Sequence, residues 1–220
     1  MIKRSILVIC ALAAIGSAAV AAEEWRQIWN RKDLSGWEFV GDGQFVVENG
    51  SLKAIGAKGK LGLLVYTREQ LGNCVLRVVY KGERGNSNSG VYIRIPERPS
   101  EPFMPVRRAH EVQVAGANTG EIFARTRVQV SPSPVKPGGE WNTLEITMDG
   151  PRTTVMLNGV KVTDYKEGDA VPKPESIRLP DGALISITRE LRPERGYLGL
   201  QSHDADILWF SEVAVKPLKK

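Results

Sequence analysis

Apolar and polar residues alternate one by one along most of the chain, and few stretches show the three-to-four-residue spacing of an amphipathic helix. The alternating runs are rich in β-branched and aromatic residues, which favour strands. Asn49-Gly50 separates one pair of such runs and Asn158-Gly159 separates another. Asn-Gly is typical of a two-residue type I′ hairpin, because both central residues of that turn need a positive φ. The pattern therefore predicts thirteen to fifteen strands, with two well-defined hairpins and hardly any helix.

The remaining predicted strands share the same alternation, and residues 67–70 are expected to form a single helical turn. The strands are expected at 25–29, 36–40, 61–66, 73–80, 90–95, 110–115, 121–129, 141–149, 184–188, 196–202 and 206–215. Two proline-containing stretches, 96–109 and 166–195, are predicted loops, and the second is long enough to indicate a functional loop or one packed on the rim. Many short strands without an internal repeat favour an all-β domain of two packed antiparallel sheets over residues 23–220.

The first 22 residues have the features of a cleavable signal peptide. Lys3 and Arg4 precede an apolar run from Ile6 to Ile15, and Ala19-Val20-Ala21 has the small-x-small pattern of a cleavage site. The apolar run is shorter than the ~20 residues of a membrane-spanning helix. We therefore expect a secreted or periplasmic protein with no membrane span in the mature chain.

Composition excludes several functional classes. The chain of 220 residues has 30 basic and 25 acidic residues, and cleavage after residue 22 would leave 28 basic residues and a net charge of +3. Such a small excess in an exported chain gives no reason to expect a nucleic-acid partner. The sequence also lacks the nucleophile elbow of serine hydrolases, a phosphate-binding loop and a dinucleotide-binding fingerprint.

An ordered series of short motifs resembles the 3-keto-disaccharide hydrolase domain family, long catalogued as a domain of unknown function. The motifs follow one another over nearly all of residues 23–220. They are Asn30-Arg31-Lys32-Asp33-Leu34-Ser35-Gly36-Trp37, Val47-Glu48-Asn49-Gly50-Ser51-Leu52, Asn86-Ser87-Asn88-Ser89-Gly90-Val91-Tyr92-Ile93-Arg94, His110-Glu111-Val112-Gln113-Val114, Gly139-Glu140-Trp141-Asn142-Thr143, Leu157-Asn158-Gly159-Val160 and Gly196-Tyr197-Leu198-Gly199-Leu200-Gln201-Ser202-His203. The resemblance implies a concanavalin-like jelly roll, similar to the laminarinase fold, in a bacterial secreted protein that acts on oxidised or ordinary saccharides.

Glu111 and Gln113 are the first candidates for chemistry. They are two residues apart between valines, so on a strand they share one face while the valines enter the core. A carboxylate beside an amide can hydrogen-bond sugar hydroxyls, and Glu111 is a candidate general acid or base. A polar pair on a solvated strand face is the alternative interpretation.

Other candidate ligands of the saccharide surround this pair. Arg94 shares a face with Tyr92 if its strand is regular, and is expected either to pair with Glu111 or to bind a substrate oxygen. Asn88 and Ser89 are expected at the mouth of that strand, where they would bind a saccharide or only form a turn.

His203 and Gln201 form a second pair on one strand face. His203 is a candidate proton carrier near neutral pH, although a structural role is the alternative. His110 is the only other histidine and should point away from Glu111, so a multi-histidine zinc site is not available. No cofactor is predicted, and no Asp-rich run marks a calcium site.

The Glu111 strand lacks part of the family's pattern, because Ala115-Gly116 stands where the family often has an aspartate. A mechanism with two carboxylates on this strand is therefore unsupported. In a 3-keto sugar the ketone acidifies the neighbouring C–H, so that one base and one group polarising the carbonyl suffice for elimination. Glu111 or His203 would be the base, and Arg94 or a bound cation the polarising group. A non-catalytic lectin-like module of the cell envelope and a structural or partner-binding jelly roll remain the alternatives.

Overall fold

The computed structural model describes residues 24–170, 176–178, 182, 184–186 and 191–218. The predicted signal peptide, 1–22, lies outside the described residues. Within them are fifteen strands, one short α-helix and one 3-10 turn at Gly116–Asn118, and no helix long and apolar enough to cross a membrane. The elements are β1 Arg26–Gln27, β2 Trp37–Gly41, β3 Gln44–Glu48, β4 Ser51–Ile55, β5 Leu61–Leu71, β6 Cys74–Gly82, β7 Asn88–Ile95, α1 Phe103–Arg108, β8 His110–Ala115, β9 Asn142–Asp149, β10 Arg152–Leu157, β11 Val160–Lys166, β12 Ser176–Arg178, β13 Leu184–Ser186, β14 Gly196–His203 and β15 Ile207–Pro217.

Two antiparallel sheets form the body of the molecule, which confirms the predicted all-β sandwich. The larger sheet has the order β11-β10-β9-β6-β15-β4-β3, with β1 also paired to β15. The smaller sheet has the order β2-β5-β14-β7-β8. Strands that are distant in the sequence are neighbours in both sheets, as expected when hairpins are connected by longer crossovers in a jelly roll.

Both predicted Asn-Gly hairpins are present. Asn49 and Gly50 have φ of 50° and 70°, and Asn158 and Gly159 have φ of 49° and 81°. These positive values are those that a type I′ turn demands. The turns join β3 to β4 and β10 to β11 in register, with Glu48 opposite Ser51 and Leu157 opposite Val160.

The core fills the space between the sheets with alternate side chains of their strands. Leu76 and Val78 of β6 and Leu144 and Ile146 of β9 are fully buried against residues such as Val91 of β7. A second apolar cluster lies on the opposite face of the smaller sheet, where α1 covers it. It comprises Leu63, Val65, Tyr92, Ile95 and Ala109, with Met104 and Val106 of α1 packed against them. The smaller sheet is thus covered on both faces at one end.

Three local predictions were wrong. Residues 67–70 continue β5 rather than forming a helical turn, because β5 pairs with β14 as far as Leu71. The segment 121–129 is not a strand: it makes one bridge to β8 at Ile122, and then Ala124, with a φ of 56°, turns it away. The predicted loop 96–109 contains α1. The stretch 166–195 contains the β12–β13 hairpin, and β13 confirms the strand expected at 184–188.

Candidate active site

Three neighbouring strands of the smaller sheet, β8, β7 and β14, present polar side chains on the face opposite the larger sheet. Tyr92 of β7 stands opposite Glu111 of β8 on one side and Gly199 of β14 on the other. Side chains two residues apart on a strand share a face. The six polar residues brought together in this way are Asn88, Tyr92, Glu111, Gln113, Gln201 and His203.

Glu111 lies at the centre of this group, at the end of a short hydrogen-bonded chain. The Tyr92 hydroxyl donates to Glu111 Oε2 at 2.7 Å, and Gln201 Nε2 donates to the Tyr92 oxygen at 3.1 Å. Only 5% of Glu111 is exposed. The carboxylate is therefore fixed in position on the sheet.

A glycine makes room for this carboxylate. A Cβ atom built on Gly90, which neighbours Glu111 across the strands, would lie 2.2 Å from Glu111 Oε1. Any larger residue at position 90 would force the glutamate to move, since carbon and oxygen atoms do not approach so closely. Gly90 thus has a specific role in the Asn88-Ser89-Gly90 motif.

Burial raises the pKa of Glu111 to about 7, from 4.5 for a free glutamate. The hydrogen bonds from Tyr92 and Gln201 oppose this rise by favouring the carboxylate, and the charge of Glu121 adds to it. A carboxyl group with a pKa near 7 exchanges its proton readily at neutral pH, which is the property required of a general base.

His203 lies beside Asn88 at the other end of the group. Asn88 Nδ2 is 3.3 Å from His203 Nδ1, and burial lowers the pKa of His203 below its ordinary value. The imidazole is therefore neutral at pH 7 and can accept one hydrogen bond and donate another. Asn88 Oδ1 and Gln201 Oε1 are buried and have no partner among the described residues. Since buried polar atoms are normally satisfied, these two acceptors are suited to ligand hydroxyls.

The polar floor is enclosed by apolar walls to form a pocket of about 120 Å³. One water needs about 10–15 Å³ on this measure, so the pocket has room for a ligand several times larger than a water. Its remaining lining residues are mostly apolar, with one exposed arginine. They are Leu61, Phe103, Val106, Phe123 and Arg178.

Two predicted site residues lie elsewhere. The Ser89 hydroxyl points to the other face of β7, is fully buried and donates to the Gln201 carbonyl at 2.8 Å. Arg94 does not pair with Glu111. Its guanidinium donates to the carbonyls of Gly150 at 2.7 Å and Pro193 at 3.1 Å, and it is only 1% exposed.

A bulge explains the position of Arg94. Its φ is 59°, and the register between β7 and β14 shifts there. Consequently Ile93 packs in the core between the sheets while Ile95 packs beneath α1, although regular alternation would place both on one face. Arg94 is directed toward the turn between β9 and β10, where it stabilises the fold rather than binding substrate.

Several pocket residues were missed by sequence reasoning. Phe103 and Phe123 come from segments predicted as a loop and a strand. Arg178 lies in the stretch 166–195 that was predicted as a loop, and the β12–β13 hairpin places it at the pocket, where its Nη1 also donates to the Gly182 carbonyl at 2.9 Å. A further acidic residue, Glu121, lies opposite Gln113 on the chain segment that pairs with β8. No local motif marks any of these positions.

Within the described ranges, no three histidine, cysteine, aspartate or glutamate side chains are grouped as metal ligands would be. The arrangement consists instead of one buried carboxylate, a tyrosine, a neutral imidazole and three amides. Such a set can bind the hydroxyls of a sugar and move a proton at the carboxylate.

Comparison with solved structures identifies the same fold in several carbohydrate-related proteins. A candidate glycosyl hydrolase from Parabacteroides distasonis is 23% identical, with a TM-score of 0.63 over 89% of this chain and 100% of that one. The catalytic domain of an endo-1,3-beta-glucanase (laminarinase) from Thermotoga petrophila is 12% identical, with a TM-score of 0.55 over 90% and 100% of the two chains. The carbohydrate binding module CBM66 from Bacillus subtilis is 12% identical, with a TM-score of 0.54 over 82% and 95%.

These similarities confirm the predicted jelly-roll fold. No functionally curated protein matches the sequence. A family model described as a 3-keto-alpha-glucoside-1,2-lyase-like domain matches residues 24–216, almost the whole chain. The protein therefore belongs to the 3-keto-alpha-glucoside-1,2-lyase-like (3-keto-disaccharide hydrolase) domain family, as its ordered motifs predicted.

Proposed function

We propose that this protein cleaves the glycosidic bond of 3-keto-glucosides by elimination, with Glu111 as the base. The observation that carries the proposal is a buried carboxyl group with a pKa of about 7 at the floor of a pocket of about 120 Å³ lined by polar side chains. The protein belongs to a family described as a 3-keto-alpha-glucoside-1,2-lyase-like domain, which supports the substrate class and the reaction.

The chemistry needs one base because of the ketone. A carbonyl at carbon 3 acidifies the hydrogen on carbon 2. When Glu111 takes that proton, electrons flow into the bond between carbons 1 and 2, and the bond from carbon 1 to the glycosidic oxygen breaks. The products are an alcohol and an unsaturated keto sugar, to which water can be added in a later step to complete net hydrolysis. The proton that leaves carbon 2 resides on Glu111, and the departing oxygen takes a different proton.

Neighbouring side chains have supporting roles in this scheme. Tyr92 holds the Glu111 carboxylate through its 2.7 Å hydrogen bond and keeps the pKa of Glu111 from rising further. The neutral His203 and the amides of Asn88 and Gln113 are donors for the ketone and the ring hydroxyls, so negative charge that develops on the carbonyl oxygen meets fixed dipoles. This assignment replaces Arg94, which is bound to backbone carbonyls on the opposite side of β7.

The experiment is incubation of the purified protein with a 3-keto-α-glucoside, and with the same glucoside before oxidation. We expect release of the alcohol and appearance of a conjugated keto sugar from the oxidised substrate alone. Glu111→Gln should lower kcat/KM by about 10²–10⁴-fold, the usual contribution of a general base. Glu140→Gln, in an exposed turn far from the pocket, is the matched control and should leave kcat/KM unchanged.

Non-catalytic saccharide binding is the second candidate. It is favoured by Ala115, which leaves the Glu111 strand without a second acid, and by a jelly roll that carbohydrate binding modules also use. In that case the oxidised and unoxidised glucosides would bind in a titration followed by calorimetry, and neither would be cleaved.

Export is part of the proposal and rests on residues 1–22. Expression of the full chain in a bacterium, followed by cell fractionation and N-terminal sequencing, tests it. We expect a periplasmic or secreted protein that begins close to residue 23. A cytoplasmic product with its first residues intact would contradict the proposal.

A further inference from the structure

We propose that Glu121 is the general acid of this site, which protonates the glycosidic oxygen as it leaves; the inference rests on the proposed elimination. The elimination requires such a group, because the alkoxide of a sugar or alkyl alcohol leaves poorly without a proton. Neither Ala115 nor Gly116 at the end of β8 can supply one. The nearest acidic side chain of the adjoining segment is Glu121.

Backbone pairing places Glu121 across from Gln113, which lines the pocket. After β8 the chain turns back at Gly116–Asn118 and runs antiparallel to β8, with Ile122 bridged to Val112. Two backbone hydrogen bonds fix the register: Gln113 donates to the Glu121 carbonyl at 2.9 Å, and Phe123 donates to the Glu111 carbonyl at 2.8 Å.

The register determines which way the side chain points. Val112 and Ile122 are fully buried in the core between the sheets. Their neighbours on each strand therefore point to the opposite face, so Glu121 lies across from Gln113 and diagonally from Glu111. Diagonal neighbours on one face of an antiparallel pair are about 7–8 Å apart, within reach of long side chains. Glu111 and Glu121 thus share the face that carries Gln113.

A bulge at Gly120 sets the position of Glu121. Gly120 has a φ of 94°, and its N–H donates to the Gln113 carbonyl at 2.9 Å, whereas the Gln113 N–H donates to the Glu121 carbonyl, so two residues oppose Gln113. A Cβ atom on Gly120 would lie 2.4 Å from Val162 Cγ2, which requires glycine there. Bulges of this kind re-aim the side chain that follows.

The surroundings of Glu121 make its protonated form easier to reach than that of a free glutamate. Only 5% of the residue is exposed. Burial raises the pKa of Glu121, and Arg127, whose Nη1 is 3.8 Å from Glu121 Oε2, opposes the rise. The charge of Glu121 in turn adds to the rise in the pKa of Glu111.

The proton balance of one turnover is simple. The reactive form of the site has Glu111 ionised and Glu121 protonated. The carbon 2 proton passes to Glu111, the double bond forms, the bond from carbon 1 to oxygen breaks, and the departing oxygen takes the Glu121 proton. Exchange with water then deprotonates Glu111 and reprotonates Glu121, so no other reactant is consumed.

Leaving groups of different acidity separate the two carboxyl groups. Glu121→Gln should lower kcat/KM by about 10²-fold or more for a 3-keto-α-glucoside with an alkyl leaving group, the scale of general acid catalysis. The same variant should lose little activity on the 4-nitrophenyl analogue, since nitrophenolate leaves without a proton. Glu111→Gln should lose activity on both. Equal losses on both substrates in Glu121→Gln, or no loss on either, would overturn the assignment.

A second variant keeps the test decisive if Glu121→Gln does not fold. Arg127→Gln removes an exposed side chain that favours the ionised form of Glu121. One limb of the pH profile of kcat/KM on the alkyl substrate should then move to higher pH, and an unchanged profile would contradict the role of Glu121. If the wild-type protein cleaves neither substrate, the proposed elimination itself is wrong and the assignment falls with it. A cleaving wild type with an unaffected Glu121→Gln variant refutes the assignment alone.

Discussion

Replacing Glu111 with glutamine should stabilise the protein at alkaline pH while it removes the catalytic base. The two side chains have nearly the same shape, and the Tyr92 hydroxyl can donate to the amide oxygen as it does to Glu111 Oε2. The buried Oε1 of Gln201, which has no partner among the described residues, is an acceptor for the new amide group. The substitution therefore changes the charge of the site with little change in packing.

The magnitude follows from the pKa. Folding raises the pKa of Glu111 from 4.5 to about 7, and each unit corresponds to about 1.4 kcal/mol. Because the folded state holds the proton more tightly than the unfolded state, its stability is greatest below pH 4.5 and is lost as the pH rises through 7. Ionised Glu111 therefore costs about 3 kcal/mol of stability, which the glutamine variant does not lose.

Urea unfolding of the wild type and Glu111→Gln measures this cost. The difference in free energy of unfolding between the two proteins should grow by about 3 kcal/mol, in favour of the variant, from about pH 4 to about pH 8. Other titrating groups cancel in the difference, and Glu140→Gln in an exposed turn should show no such growth. A difference that is constant with pH would refute the argument that burial holds the pKa of Glu111 near 7.

Three further predictions concern the neighbours of this residue. Tyr92→Phe removes the hydrogen-bond donor that favours the Glu111 carboxylate, so the pKa of Glu111 should rise. The acid limb of the pH profile of kcat/KM should then move to higher pH, and an unmoved limb would contradict this role of Tyr92. Gly90→Ala should lower kcat/KM at least about 10-fold by displacing Glu111. Gly85→Ala is the control and should leave kcat/KM unchanged, because its Cβ would meet no atom closer than 3.5 Å. Equal effects of the two substitutions would exclude a steric role for Gly90. Arg94→Met should lower the free energy of unfolding by about 3 kcal/mol, because it leaves buried carbonyls without their charged donor. Its KM at a permissive temperature should be unchanged, and a raised KM with normal stability would return Arg94 to the binding site.

The sequence predicted the parts of the site that depend on regular alternation. Glu111 and Gln113, and likewise Gln201 and His203, are pairs two residues apart on unbroken strands, and all four line the pocket. Regular alternation also explains why Ser89, one residue from Asn88, faces the core.

Irregular backbone and long-range placement account for what the sequence did not predict. The bulge at Arg94 reverses the direction of one side chain, and the bulge at Gly120 brings Glu121 beside Gln113. Neither is marked by a local pattern, because a bulge is determined by pairing with a strand that is distant in the sequence or by a turn that follows. Arg178 reaches the pocket through the β12–β13 hairpin, whose position depends on the whole fold.

The most direct test of the proposed chemistry is a kinetic isotope effect. A 3-keto-α-glucoside carrying deuterium at carbon 2 is compared with the unlabelled compound in single-turnover cleavage by the wild-type protein. If Glu111 removes the proton from carbon 2 in the step that breaks the glycosidic bond, the labelled substrate should react more slowly, with a primary isotope effect that disappears with the activity in Glu111→Gln. Cleavage at the same rate for both substrates, or binding of both without cleavage, would contradict elimination at this site.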